Sequence, residues 1–258
     1  MKGDDLPSWE REHYSPGGGD PFLYYVAFGD MTTEAENQIS AARYRCAGVP
    51  EGIEITSYDK DAHLAVFDMF MQGYLWENLQ AENPALAADV RAAPCCIVLQ
   101  GEVHDPRTLN YLRDIVGIVT FLFDNGGAVV YDPLMFQWWS ATLWKERIFE
   151  PGAPVPRHHT LILVSKEEDD ETTAWVHTRG MRKFGRPDIS LRHVENGNLD
   201  GAIDLCNRFV EHQAFGGIIP EGREIHMASL PPGGITRHGG YLDDPDFNNV
   251  HVEIDWGR

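Results

Sequence analysis

The stretch from residue 95 to residue 131 constrains the fold most. Cys95-Cys96-Ile97-Val98-Leu99 is a continuous apolar run, short for a helix and suited to a strand buried on both faces. Leu109, Leu112, Val116, Val119 and Phe123 then recur at three- and four-residue steps, which predicts a helix with one buried face. Asp105 is a good N-cap, Pro106 fits a first helical turn, and Asn125-Gly126-Gly127 supplies the stop. Ala128-Val129-Val130-Tyr131 reads as a second strand. A strand, helix, strand order of this kind predicts parallel pairing through a right-handed crossover.

The flanking segments extend the pattern. Phe22-Leu-Tyr-Tyr-Val-Ala-Phe28 is dense in β-formers and predicts a strand. Thr33 and Glu36 have capping-box spacing ahead of a helix carrying Ile39, Ala42 and Cys46, closed by Gly48 and Pro50. Asp61 can cap a second helix that turns Leu64, Phe67, Met71, Tyr74, Leu75 and Leu79 inward and closes at Pro84. Asp132-Pro133 repeats the cap-plus-proline signal and predicts a helix over residues 134–145, apolar nearly all round and so covered on several sides. Pro151, Pro154 and Pro156 form a stiff connector. Beyond it the pattern turns antiparallel, with a hairpin of residues 160–165 and 172–177 about the acidic turn 167–171, and a half-exposed strand at 189–194. A helix at 199–214 buries Ala202, Ile203, Leu205, Cys206, Phe209 and Val210, and strands follow at 223–227 and 250–256. Residues 1–20 lack a hydrophobic period and read as a flexible arm. The class is α+β, mixed sheets with packed helices, in the manner of two ferredoxin-like lobes in one compact unit. The expected division is the arm 1–20, an N-terminal α/β lobe at 21–150 and a C-terminal α+β lobe at 151–258.

Charge narrows the function. Over 258 residues, 40 Asp and Glu against 21 Lys and Arg give a net charge of −19, which repels nucleic acid and anionic lipid and attracts basic partners. The longest nearly apolar run, residues 115–123, is too short to span a bilayer. Cys46, Cys95, Cys96 and Cys206 lack zinc spacing and read as reduced thiols. The acidic N-terminal residues offer no secretory signal, so the expectation is a cytoplasmic protein.

The acidity is uneven. Residues 1–130 carry 8 basic and 20 acidic side chains, whereas from Trp175 to Val194 five basic residues (Arg179, Arg182, Lys183, Arg186 and Arg192) face Asp188 alone. That window is +4 and the rest of the chain −23. One reading is an anion site on a loop, with Gly180 and Gly185 letting backbone approach a phosphate or carboxylate, Arg179 and Arg186 as clamps, and His177 or Asp188 as acid or base. The other is an ion-pair network with the acidic surface. Arg186-Pro187 stands where a Walker loop needs Lys and Ser or Thr.

Three blocks, Gly127-Ala-Val-Val-Tyr-Asp-Pro133, His177-Thr-Arg-Gly-Met-Arg-Lys-Phe-Gly-Arg-Pro-Asp-Ile189 and Pro220-Glu-Gly-Arg-Glu-Ile225, give a resemblance over residues 127–225. They resemble a bacterial family of uncharacterised proteins, domain of unknown function 4261. The resemblance implies an α+β domain and brings no catalytic residues with it.

Other constellations have plain readings beside the chemical ones. His251-x-Glu253-x-Asp255 sets three ligand types on one face of a strand, which a polar strand face also does. Asp244-x-Asp246-x-Asn248 opens like a calcium loop, but Asn249 holds the glycine position. His158-His159 would point to opposite faces, and Cys95-Cys96 opens an apolar strand. No metal or cofactor is expected. Trp138, Trp139 and Trp144 are read as core or as anchors for a partner. No Gly-x-Ser-x-Gly or His-Glu-x-x-His motif occurs, so an enzyme is disfavoured. The expectation is a non-enzymatic protein that recognises a basic protein partner, as toxin-neutralising immunity proteins do, with its oligomeric state open. The alternative is an enzyme or ligand-binding protein that holds an anionic group at the loop 177–192.

Overall fold

The strand-dense run after Pro21 forms β1 (Phe22–Gly29), which lies inside a five-stranded sheet. The computed structural model describes residues 6–31, 39–167, 170–227 and 232–255, so Thr33 and Glu36 lie outside the described residues. The chain divides into two compact units, Met1–Trp9 with Leu23–Pro154, and Glu10–Phe22 with Val155–Arg258. Helices and mixed or antiparallel strands make both, an α+β fold. Among the described residues no helix is long and apolar enough to cross a membrane.

In the first unit the helices are α1 (Ala41–Tyr44), α2 (Leu64–Phe70), α3 (Tyr74–Glu82), α4 (Pro84–Ala92), α5 (Asn110–Asp124) and α6 (Ala141–Trp144). The strands β2 (Ile53–Asp59), β3 (Cys95–Glu102), β4 (Gly127–Asp132) and β5 (Gln137–Ser140) join β1 in the order β2-β3-β1-β4-β5. The expected parallel pairing of residues 95–99 with 128–131 does not form. β1 sits between those strands and pairs antiparallel with β4, with Val26 opposite Tyr131. A strand, helix, strand order fixes the connection but leaves room for another strand to enter between its ends.

Helix α5 starts at Asn110 rather than at Asp105-Pro106. Residues 111–120 are all buried, so the helix is covered all round rather than on one face. Its charged pair is internal: Arg113 Nη2 meets Asp114 Oδ1 at 2.8 Å, and the same oxygen accepts from the Ala47 amide at 3.0 Å. Gly117 is required there, because a Cβ would lie 2.4 Å from the Tyr44 carbonyl oxygen.

Two expected helices are corrected. The single helix from Asp61 to Leu79 is α2 and α3, broken at Gly73, whose φ of 75° suits glycine. The break resets the helical phase. Phe67, Trp76 and Leu79 turn inward, while Leu64 and Tyr74 are exposed. Pro84 opens α4 instead of closing the stretch, with Asn83 Oδ1 accepting from the Leu86 amide at 3.1 Å. Residues 134–145 are not one helix either. Asp132 Oδ1 accepts from the Leu134 amide and Phe136 takes a φ of 56°, which makes a hairpin turn. β5 then pairs with β4, Tyr131 opposite Trp138 and Val130 opposite Trp139. Asp-Pro starts turns as well as helices, and the two tryptophans are good strand formers.

Residues 6–20 are irregular but pinned, contrary to the flexible arm. In the first unit Trp9 is buried, donates from its indole to the Gly152 carbonyl at 3.0 Å and accepts from the Leu109 amide at 2.7 Å. In the second, the His13, Ser15 and Gly19 amides donate to the Phe215, Gly216 and Gly185 carbonyls.

The second unit is built on β6 (Leu161–Lys166), β7 (Thr173–Arg179), β8 (Asp188–Glu195), β9 (Glu224–Ile225), β10 (Gly234–Tyr241) and β11 (Asn249–Asp255), in the order β6-β7-β8-β11-β10-β9. β8 and β11 are parallel and the other pairings are antiparallel. Helix α7 (Leu199–Ala214) packs Ala202, Leu205 and Cys206 against Val176, Ile189, Leu191, Val252 and Ile254. The hairpin of β6 with β7, the strand β8 and the helix α7 follow the sequence pattern closely.

Candidate functional site

The basic island folds into a clasp. Gly180, at φ 105°, and Gly185, at φ 62°, bracket a tight turn over Met181–Phe184 between β7 and β8. Asp188 closes it from within. Its Oδ1 accepts from the Thr178 hydroxyl at 2.8 Å and the Met181 amide at 3.3 Å, and its Oδ2 from Asn249 Nδ2 at 2.9 Å. Asp188 is fully buried, which pushes its carboxyl up to about 7 against the pull of those hydrogen bonds.

The cations point inward. Arg179, Lys183 and Arg186 are buried and Arg182 is half-buried. Arg186 donates to the carbonyls of Gly217 at 3.1 Å, Gly216 at 3.0 Å, Gly185 at 2.8 Å and Ser15 at 3.3 Å. Gly216 and Gly217 follow the end of α7, where the helix dipole is negative, so a cation placed there is doubly favoured. Arg179 donates to the Pro245 and Asp246 carbonyls, and Arg182 to the Leu242 and Asn248 carbonyls. These two hold the segment 242–248 in place. Phe247 from that segment is buried against Trp175, His177 and His251, with the His251 ring stacked on it at 4.3 Å.

His177 is buried, its ring stacked on Trp175 at 3.8 Å, and Nδ1 has no hydrogen-bond partner. Burial, with Arg179 and Arg192 adding, pushes its pKa down to about 4, so the ring is neutral at pH 7. Arg192 lies over Trp175 at 3.7 Å and pairs with Glu167 at 3.3 Å. The expected anion clamps Arg179 and Arg186 therefore have their guanidinium groups on backbone carbonyls. A cavity of about 410 Å³ adjoins Arg186, bounded by Pro187, Ile218, Ile219, Val250 and His251. It is walled mainly by apolar side chains and glycine backbone.

The tryptophans are core. Trp138 stacks on Tyr131 at 4.1 Å, and Trp144 donates from its indole to the Thr120 hydroxyl at 3.0 Å. Trp139 meets Trp144 edge-on at 5.8 Å, and all three are buried. They are therefore not the anchors on an outer surface that the sequence allowed. His159 is buried, held neutral by burial and by Lys183, while His158 ends a short turn. Among the described residues no group of three or more His, Cys, Asp or Glu could hold a metal ion.

Exposed apolar side chains stand among carboxylates on the first unit, as Tyr241 and Leu242 do beside Asp243 in the second. Helices α2, α3 and α4 bury Phe67, Trp76, Leu79, Leu86, Ala87 and Val90 against the sheet. Their outer side presents Asp61, Asp68, Glu77, Glu82 and Asp89, all exposed. Among these carboxylates stand Leu64, 53% exposed, Met69, 62%, and Tyr74, 73%. Residues 51–90 hold eight Asp and Glu against Lys60, a net of −7. Sequence periodicity had turned Leu64 and Tyr74 inward. The signal that places them outside is Gly73 inside the helical pattern.

Compared with known proteins, the chain matches no family model, no curated protein and no solved structure.

Proposed function

We propose that the protein is a non-enzymatic binding module whose acidic α2–α4 face recognises a basic protein partner. The observation that carries this reading is the set of exposed apolar side chains, Leu64, Met69 and Tyr74, standing among exposed carboxylates. Carboxylates steer a cationic surface and align it, while the apolar anchors supply area that loses water on contact. The inward cations of the second unit favour the same reading, since burial keeps Arg179, Lys183 and Arg186 from direct contact with a partner. A basic toxin neutralised at this face is the partner class that such charge suits. The resemblance of residues 127–225 to the domain of unknown function 4261 adds an α+β setting and no chemistry against it.

The test is an NMR titration with a cationic amphipathic peptide of Lys and Leu. Shifts are expected in residues 61–82, and Met69→Ser with Tyr74→Ser weakens binding by about tenfold, the effect of losing two exposed anchors. Shifts confined to the second unit, or no loss in the double variant, contradict the proposal.

A further inference from the structure

We propose that β2 is a strand-addition site, whose outer edge takes an extended segment of the partner with apolar residues alternating with Lys or Arg. This rests on the basic-partner reading above and names how such a partner is held. β2 ends the first sheet, and among the described residues no strand lies on its far side. Its register with β3 is unbroken for seven pairs, from Ile53 opposite Gly101 to Asp59 opposite Cys95. No proline or bulge interrupts it, and between the Ile53 amide, bonded to the Pro50 carbonyl, and the Asp59 carbonyl, bonded to the His63 amide, its outer edge offers a template. Glu54, Ile55, Thr56 and Ser57 are all exposed, so both faces of the strand are open as well as the edge, whereas Cys96–Leu99 opposite are buried.

An edge like this invites any strand unless something selects among them. Here charge selects. Glu54 and Asp59 lie in β2 and Glu51 and Asp61 flank it, with Lys60 the one cation in residues 51–61. A second copy pairing through the same edge would set these carboxylates beside their own images, which is unfavourable, while a cationic strand meets Glu54 on one face and Asp59 at the far end of the other. The two faces add a pattern. Glu54, Thr56 and Tyr58 pair with Gln100, Val98 and Cys96, and Val98 and Cys96 belong to the core beneath α2–α4. Glu54 therefore continues the acidic helical face, and Ile55, 43% exposed, points the other way. An added strand places its Lys or Arg on the Glu54 side and its apolar residues beside Ile55.

The test compares two peptides of about eight residues, a length matched to the strand. One is a Lys-Val repeat and the other a Lys-Pro repeat of equal charge, which cannot form a strand ladder. Binding is measured by calorimetry and located by amide hydrogen exchange in the full chain. The expected result is that Lys-Val binds at least about tenfold more tightly and slows exchange at residues 54–58, and that Glu54→Lys removes that preference. Equal binding of the two peptides overturns strand addition and leaves the basic-partner reading standing. Protection confined to α2–α4 does the same. Concentration-dependent protection of residues 54–58 without peptide assigns the edge to a second copy and overturns the proposal. Binding of neither peptide overturns both readings.

Discussion

The two units handle charge in opposite ways. In the first, apolar side chains of α2–α4 fill the core over the sheet and carboxylates stay outside, so charge faces solvent. In the second, α7 covers one face of the sheet with apolar residues, and the clasp around Asp188 is made of buried charged side chains that bond to backbone. Charge is therefore mainly a surface property on the helical face of the first unit, Arg113, Asp114 and Asp132 apart, and a structural material in the clasp of the second. A net charge read from composition cannot separate these uses. The basic island, which stood out as the most site-like segment, is the part in which cations are most completely engaged.

The sharpest way to break this comparison is to remove one charged group from each unit. Arg186→Ala strips the guanidinium from the end of α7 and leaves buried carbonyls without donors, with an expected loss of about 3–5 kcal/mol in urea unfolding. Asp68→Ala on the outer side of α2 is expected within about 0.5 kcal/mol of the parent. A small effect of Arg186→Ala would mean that the clasp is ornamental.

Next in size is the pH dependence of the second unit, where buried Asp188 pulls against buried His177 and His159. Asp188 has a folded pKa raised to about 7, so its contribution is full below its unfolded value and is lost as pH rises from about 4 to about 7. His177 has a folded pKa depressed to about 4, so its contribution is present above about 6.5 and lost as pH falls. The parent is therefore expected to gain stability as pH rises from about 4 to about 6.5, because buried His159, also held well below the usual histidine range, adds to His177 and outweighs Asp188. Asp188→Asn steepens that rise and His177→Gln flattens it, each by at most about 1.4 kcal/mol per pH unit. Profiles of the same slope in both variants contradict these assignments. The smallest effect is expected for Tyr74→Ser, which changes unfolding by less than about 0.5 kcal/mol because the ring is already in water; a larger loss means that the ring packs in the fold.

The sequence showed most where burial is periodic or β-formers are dense. α7 follows from a helical stripe with one face in the core, and β6, β7 and β8 follow from runs dense in β-formers, although β7 is buried along nearly its whole length and β6 is not buried at any position. β2 and β10 left no such trace. Ile53–Asp59 is exposed from Glu54 to Ser57 with Tyr58 half-buried, and Gly234–Tyr241 has three glycines and few apolar residues, so neither shows the alternation of a half-buried strand. Asp132-Pro133 misled because an Asx turn and a helix cap use the same side-chain oxygen. The island Arg179, Arg182, Lys183, Arg186 and Asp188 was legible as a unit but not in its direction. Whether an arginine meets an anion or the carbonyls after a distant helix depends on where Gly216 and Gly217 come to lie, and spacing along the chain does not record that.

The central claim is that the acidic helical face of the first unit, and not the basic island, meets the partner. A calorimetric titration of the cationic Lys and Leu peptide tests it most directly, at low and high salt, against the parent, Asp68→Lys with Glu77→Lys, and Arg182→Ala. The expected result is binding that weakens with salt, falls by at least about tenfold in the first variant and is unchanged in Arg182→Ala. Binding that ignores salt and the charge reversal, or that is lost in Arg182→Ala, contradicts the account.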